Sequence, residues 1–325
     1  MTDWIALSDR DSLCLPTGTD AMLRRALLVM ELALPLRGTV LLLDHSAADF
    51  AISLLYDPDL GFGLMLRHGA RLQRHMLHGI RADGSGTAQL HFRWDADRHD
   101  WSLTFTGAGI TRSSTGAGAL PLPCSGLAAL CRAGAAPGRA AALLWFGVTP
   151  GDAPPKGAPW LGLRLPVATP GGPVAAGALR VGDIVLTRDA GPRQVRALRR
   201  ADLPGRGSYA PIRLRAPFFL NGTDAIVSAD QQLVLSGVEV EYLFGEDEVL
   251  VRAQDLVDGS RALVEERAAV LPWIAVDLGE PALIEADGCA FASAAGKGAA
   301  LRCLERYEAI TLQAMRRRGA TRSAA

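Results

Sequence analysis

The segment Ala88-Gln89-Leu90-His91-Phe92-Arg93-Trp94 alternates apolar and polar residues without a break. Only an extended strand, whose successive side chains point to opposite faces, sorts such a run into one dry face and one wet face. The pattern is not isolated. RALLVMELAL, TVLLLD, FAISLLYD, GFGLMLRHG, TAQLHFRWD and WSLTFTG follow one another before residue 110, each a few residues long. Turn signals at Asp57-Pro58, Asp83-Gly84 and Thr106-Gly107 punctuate them. Many short strands at this spacing predict a two-sheet sandwich. The stretch LAALCRAGAAPGRAAALLWF that follows reads as one or two short helices or a closing strand.

A chain of 325 residues has room for about two domains, and 49% apolar with 21% charged residues is ordinary globular composition. The formal net charge is zero, so no whole-chain field attracts nucleic acid, and no nucleic-acid partner is expected. The basic residues are almost all Arg, with Lys only at Lys156 and Lys297. The start, MTDWIALSDRD, is acidic where a signal peptide would be basic and then apolar. ALLVMELALPLRGTVLLL is interrupted by Glu31, Pro35 and Arg37, short of the about 20 apolar residues a spanning helix needs, so no membrane span is expected. Five cysteines (Cys14, Cys124, Cys131, Cys289 and Cys303) form no CxxC pair, which predicts reduced, buried thiols. The expected location is the cytoplasm, or outside the cell by a signal-peptide-independent route.

FGVTPGDAPPKGAPW, residues 146–160, is rich in Pro and Gly and reads as a seam. The expected organisation is a β-sandwich over 1–145, a linker over 146–159 and a second domain over 160–325. Beyond the seam, PVATPGG, DIVLTRD, RQVRALRR, APIRLRA, QQLVLSG, VEYLF, EVLVRA and LPWIAVDL read as further strands. AALRCLERYEAITLQAMRRR places Leu301, Leu304, Ile310 and Met315 near helical spacing and predicts a short terminal helix. Its Arg316-Arg317-Arg318 end is expected to be a solvated tail.

Four ordered blocks in the second half carry a resemblance. VATPGGPVAAGALRVGDIVLT (167–187), SADQQLVLSG (228–237), LFGEDEVLV (243–251) and LVDG (256–259) resemble the Hint (hedgehog/intein) domain, in the bacterial subfamily found fused to other modules. The resemblance spans roughly 160–290 and implies a compact β domain entered through a strand, a tight turn and a Gly-Asp-x-Val return. More weakly, the first half is similar to a concanavalin-like or laminin-G-like jelly roll. The fold class is therefore mainly β, a jelly-roll-like N-terminal sandwich followed by a Hint-like β domain with a terminal helix.

In that family a Cys or Ser on the first strand attacks its own preceding peptide carbonyl, and a nearby His transfers a proton to the scissile amide. Both are needed, because a planar amide is resonance-stabilised and resists an unassisted thiol. Carried over block by block, the nucleophile position falls on Trp160, and the Ser and His of the second block fall on Ser228 and Gln231. A later Asp-x-His-Glu aligns with Asp277-Leu278-Gly279-Glu280. None of these supplies a nucleophile with an acid-base partner, since Gln has no accessible proton equilibrium. An independent check agrees: all six histidines (His45, His68, His75, His78, His91 and His99) precede residue 100. The resemblance thus implies a degenerate site with no catalytic residues.

Other candidates read more plainly as structure. His75 and His78 lie in strand-like surroundings, where i and i+3 face opposite ways, and are expected at the surface rather than as a metal pair. Asp95, Asp97 and Asp100 are expected in a solvated hairpin turn, Trp94, Trp101 and Trp145 in the core, and Glu246, Asp247 and Glu248 in an acidic turn. No cofactor or metal is expected. The expected function is a scaffold or binding module without autoprocessing. The alternatives are a self-cleaving protein with another nucleophile, and a carbohydrate-binding protein acting through the sandwich, whose ligand would be a glycan or a protein.

Overall fold

The computed structural model describes residues 4–8, 21–132, 138–155, 159–294 and 301–323. Cys14, Lys156, Lys297 and the side chains of Arg317 and Arg318 lie outside the described residues. The chain divides into two compact units, Met1–Lys156 and Gly157–Ala325.

The first unit is a two-sheet antiparallel sandwich. Strands Phe50–Asp57 and Gly61–His68 lie between Val40–Ser46 and Arg71–Leu77 in a four-stranded meander. The six-stranded sheet is ordered Ala6–Leu7, Leu143–Thr149, Arg25–Leu34, Gly86–Asp95, Asp100–Gly107 and Ile110–Ala117. The alternation in 88–94 does what period-2 burial requires: Ala88, Leu90, Phe92 and Trp94 are all buried, while Gln89, His91 and Arg93 are half-buried on the opposite face. Inward side chains from both sheets merge into one cluster, in which Phe62 of the four-stranded sheet stacks on Phe105 of the other at 5.5 Å between ring centroids. Expected strand bounds are matched at Arg25–Leu34 and Phe50–Asp57.

The three tryptophans sit inside the sandwich or against it. Trp94 and Trp145 are buried with their N–H groups donated to the Leu23 carbonyl (2.9 Å) and Glu31 Oε2 (2.7 Å), and half-buried Trp101 donates to the Ala117 carbonyl at 3.2 Å. The three aspartates form a turn in which each carboxylate has protein partners: Asp95 accepts the backbone N–H of Asp97 and Arg98, Asp97 pairs with Arg24, and Asp100 with Arg93. The Pro/Gly-rich segment begins later than its composition implies. Phe146 and Val148 are buried in the strand Leu143–Thr149, paired with Arg25–Leu34, so the expected linker loses its first residues to the sandwich.

The second unit holds two sheets over another core. One has the order Ala197–Pro204, Val270–Asp277, Leu161–Gly162, Ala225–Val227, Ile212–Leu214 and Ala262–Val264. The other runs Val174–Ala175, Pro166–Val167, Leu283–Ala286, Cys289–Ala292, Gln232–Ser236 and Glu248–Arg252, with the hairpin Ile184–Gln194 attached to Leu283–Ala286.

Two expectations need correction here. VEYLF is not a strand but the end of a helix, Val238–Phe244, with Val240 buried and Val238 and Tyr242 each 77% exposed. Its β-branched composition hides two backbone stops. Gly237 enters at φ 122°, and Gly245 closes the last turn at φ 68° with its N–H on the Glu241 carbonyl, a left-handed cap that glycine adopts without a Cβ clash. The terminal helix begins at Arg306, and its core face is Ala309 and Leu312, whereas Ile310 is 54% exposed and Leu304 is buried ahead of the helix. Among the described residues no helix is long and apolar enough to cross a membrane.

His75 is the third correction. It is 2% exposed, not at the surface, while His78 is exposed and contacts the Leu60 carbonyl through Nδ1 at 2.9 Å. The strand Arg71–Leu77 turns His75 inward, its ring 4.6 Å from Phe92 and 4.4 Å from Trp101, with neither ring nitrogen hydrogen-bonded. Burial lowers its pKa to about 4, and lowers that of half-buried His91 as well. Both histidines are neutral when folded and take a proton more readily when unfolded, so stability is complete above pH 6.5 and falls as pH drops toward 4. His75→Leu should reduce this acid loss by an amount on the order of 2 kcal/mol, measured as the difference between wild-type and variant denaturant unfolding at pH 7 and pH 4.5. A gap that does not change between the two pH values would contradict the assignment.

Candidate functional site

Trp160 stands immediately before the strand Leu161–Gly162, which is the narrowest member of its sheet. Leu161 is paired on one side with Val227 and on the other with Ile274, and Gly162 with Trp273. A Cβ at Gly162 would lie 2.6 Å from the Ile226 carbonyl oxygen, so the close approach of the two strands requires glycine. This packing buries Trp160 to 1% exposure and brings its backbone against the segment Ser228-Ala229-Asp230-Gln231, which leaves the strand Ala225–Val227.

The two segments are joined reciprocally. The Trp160 N–H donates to Ser228 Oγ at 3.2 Å, and the Ser228 N–H donates to the Trp160 carbonyl at 3.0 Å. The amide linking Pro159 to Trp160 therefore has its nitrogen held by the Ser228 hydroxyl. The backbone of 228–231 closes into a turn, the Gln231 N–H donating to the Ser228 carbonyl at 3.0 Å, and is tied down when Ala253 and Gln254 donate to the carbonyls of Gln231 and Ala229, both at 2.9 Å. The structure thus brings together Trp160, Ser228 and Gln231, the three positions selected from sequence.

The side chain of Gln231 faces the other sheet. Its Nε2 donates to the carbonyls of Gln232 (3.0 Å) and Ala292 (2.9 Å), and its fully buried Oε1 has no hydrogen-bond partner. The Arg199 guanidinium lies 5.4 Å from the centroid of the Trp160 ring, a cation–π distance that sequence reading missed because it depends on the pairing of Ala197–Pro204 with Val270–Asp277. The Asp277–Glu280 segment is a turn in which Asp277 Oδ1 accepts the Gly279 N–H at 2.7 Å and Gly279 has φ +84°.

The thiols of this unit are poorly suited to attack. Burial pushes Cys289 up to about 12, which keeps it a thiol at neutral pH. Exposed Cys303 is also raised by desolvation and accepts a hydrogen bond from Gln232 Nε2 at 3.2 Å. Beside Leu161–Gly162 opens a cleft of about 520 Å³ lined in part by Leu163, Arg164, Arg213, Ile226 and Trp273. Arg213 is paired with Glu265 at 2.7 Å, yet its Nε and the indole N–H of Trp273 are buried donors without an acceptor.

The Ser228 hydroxyl accepts the Trp160 backbone N–H, so its removal deletes a buried hydrogen bond. Ser228→Ala should cost about 1–3 kcal/mol. Denaturant unfolding of the variant measures this, and a change below about 0.5 kcal/mol would mean that the bond contributes nothing net.

Residues 165–297 match the family model of the Hint domain. Trp160 lies just before the matched segment, and Ser228 and Gln231 lie within it. Two solved crystal structures, of the MchDnaB-1 intein and of its N145AA form, are similar to the chain at 22% and 23% sequence identity. The similarity covers 41% and 42% of this chain and 98% and 99% of theirs, with a TM-score of 0.27 for both. No curated protein matches the chain. The C-terminal half of this chain, over residues 165–297, carries a Hint domain.

Proposed function

We propose that this Hint domain is inactive in self-processing and serves as a scaffold or binding module beside the N-terminal sandwich. The observation that carries the reading is the state of the Pro159–Trp160 amide. At the attacking position stands a buried indole under a guanidinium, with no nucleophilic hydroxyl or thiol. The one hydroxyl at hand, Ser228 Oγ, is engaged as acceptor to the nitrogen of that amide. A serine needs an adjacent general base before it attacks, and the residue in the histidine position is an amide whose free oxygen does not titrate in any accessible range. A positioned acid-base group is worth about 10²–10⁴ in rate, and here the nucleophile is missing as well.

The binding role rests on the cleft beside Leu161–Gly162, whose volume falls within the range of about 300–1,000 Å³ common for ligand sites and whose walls are mainly apolar. A glycan platform built on Trp94, Trp101 and Trp145 has less support, because two of these rings are buried and the third packs on His75. The two units are further proposed to fold as separate domains, each around its own core cluster.

Purified full-length protein should keep a single intact mass after incubation with dithiothreitol or hydroxylamine; two fragments cut near residue 160 would overturn the reading. The double variant Trp160→Cys, Gln231→His should show weak thiol-induced cleavage and each single variant none, since residues acting as a catalytic unit are strongly non-additive. Cleavage by Trp160→Cys alone, equal to that of the double variant, would show that Gln231 is not the lost proton-transfer position. Limited proteolysis should nick first within 150–159 and leave two stable fragments. Early digestion throughout 167–290 would mean that the C-terminal unit has no independent core.

A further inference from the structure

The terminal helix Arg306–Ser323 lies beyond the segment matched by the Hint family model. It is anchored through Ala309 and Leu312 in the core and through Gln313 Nε2, which donates to the Asp255 carbonyl at 2.8 Å. Where it meets the helix Val238–Phe244 it closes a cleft of about 240 Å³, lined by Phe218, Leu235, Glu239, Arg261, Leu312 and Arg316 among others.

The charges in this cleft do not balance. Arg316, on the terminal helix, spends one nitrogen on the Ser236 carbonyl at 2.5 Å and comes only within 3.9 Å of Glu239 Oε2. Its side chain is 22% exposed. Arg261 lies over the half-exposed Phe218 ring at 5.5 Å, and among the described residues its guanidinium has no ion-pair partner. Burial is the main cause that lowers the Arg316 pKa, and repulsion from Arg261 acts in the same direction against the pull of Glu239. Two guanidiniums that repel one another thus line one recess, whose single carboxylate, Glu239, approaches only Arg316 and no closer than 3.9 Å. Partly desolvated charges of like sign are costly without a counter-ion, and guanidiniums bind planar carboxylates through paired N–H donors.

We propose that this cleft binds a small aromatic carboxylate. Its carboxylate sits between Arg261 and Arg316, and its ring lies against the exposed face of Phe218. The cleft is smaller than a drug-sized pocket, which limits the body to about a single ring. The proposal is independent of whether the Hint domain self-processes.

The test is calorimetric titration of the full chain with benzoate, with its neutral isostere benzamide, and with inorganic phosphate. Benzoate should bind with one-to-one stoichiometry at millimolar concentrations or below, more weakly as salt is raised, and at least about tenfold tighter than benzamide or phosphate. Arg261→Gln should weaken benzoate by about ten- to a hundredfold without a matching loss of unliganded stability, because Arg261 pairs with no protein carboxylate and its repulsion of Arg316 is relieved. Phe218→Ala should weaken benzoate and leave phosphate unaffected. Arg316→Gln also loosens the terminal helix, so it is read only beside Arg261→Gln. Equal binding of benzamide would reduce the site to an apolar recess, and equal binding of phosphate would remove the ring from the recognition. Either outcome, or no saturable benzoate binding, overturns the proposal.

Discussion

The C-terminal unit depends on the strand Leu161–Gly162. Among the described residues it is the only link in its sheet between the pair Ala197–Pro204 and Val270–Asp277 and the group led by Ala225–Val227. A strand this short contributes few ladder hydrogen bonds, so its position must be fixed by other means. Leu161 is buried in the core, glycine at 162 admits the Ile226 carbonyl, and the reciprocal bonds between Trp160 and Ser228 hold the entering backbone. The Pro159–Trp160 amide therefore lies where the sheet closes. A site in that place cannot be rearranged without disturbing the sheet.

Much of the fold was legible because burial on one face of a strand writes itself as alternation. Arg25–Leu34, Phe50–Asp57 and Gly86–Asp95 announce themselves this way, and so does Val270–Asp277, as a continuous apolar run. Strands without a buried face leave no such trace. Ile110–Ala117, read as ITRSSTGA, is exposed or half-exposed along its whole length and is held by its ladder and hydroxyl contacts to Asp100–Gly107, so no buried face distinguishes its composition from that of a loop. The terminal helix failed in the opposite way. Its anchors include Ala309, which reads as neutral in a sequence, while conspicuous Ile310 faces outward. The helix Val238–Phe244 shows tertiary context overriding local preference, since one buried valine and two glycine stops outweigh a strand-like composition.

The candidate site was legible in position and not in orientation. The resemblance to the Hint domain singled out Trp160, Ser228 and Gln231, and the backbones of Trp160 and Ser228 meet, with Gln231 in the same turn as Ser228. What Gln231 does with its amide depends on the Ala292 carbonyl, from a strand about sixty residues later in the chain. The ring of Trp160 likewise meets Arg199 only through the pairing of two other strands. Similarly, His75 reads as polar and therefore exposed, yet the register that opposes it to Leu64 turns it into an aromatic cluster.

Those two cross-chain contacts also bear on how a processing site becomes a structural one. On the proposed reading, Trp160 contributes what a buried indole contributes anywhere, apolar area removed from water and a cation–π contact, and neither needs a reactive geometry. Ser228 is equally at ease, because its hydroxyl accepts a buried backbone donor. Gln231 is the exception. One end of its amide is doubly engaged, while the other holds a fully buried oxygen with no partner, a defect of about 1–3 kcal/mol that a stability-driven sequence would remove with an apolar residue. Strain and unsatisfied groups of this size persist where function once required or still requires them. The unpaired oxygen thus sits at the very position where the resemblance places the lost histidine. The hydrogen bonds that shape the backbone around that oxygen are complete between Trp160 and Ser228 and within the 228–231 turn.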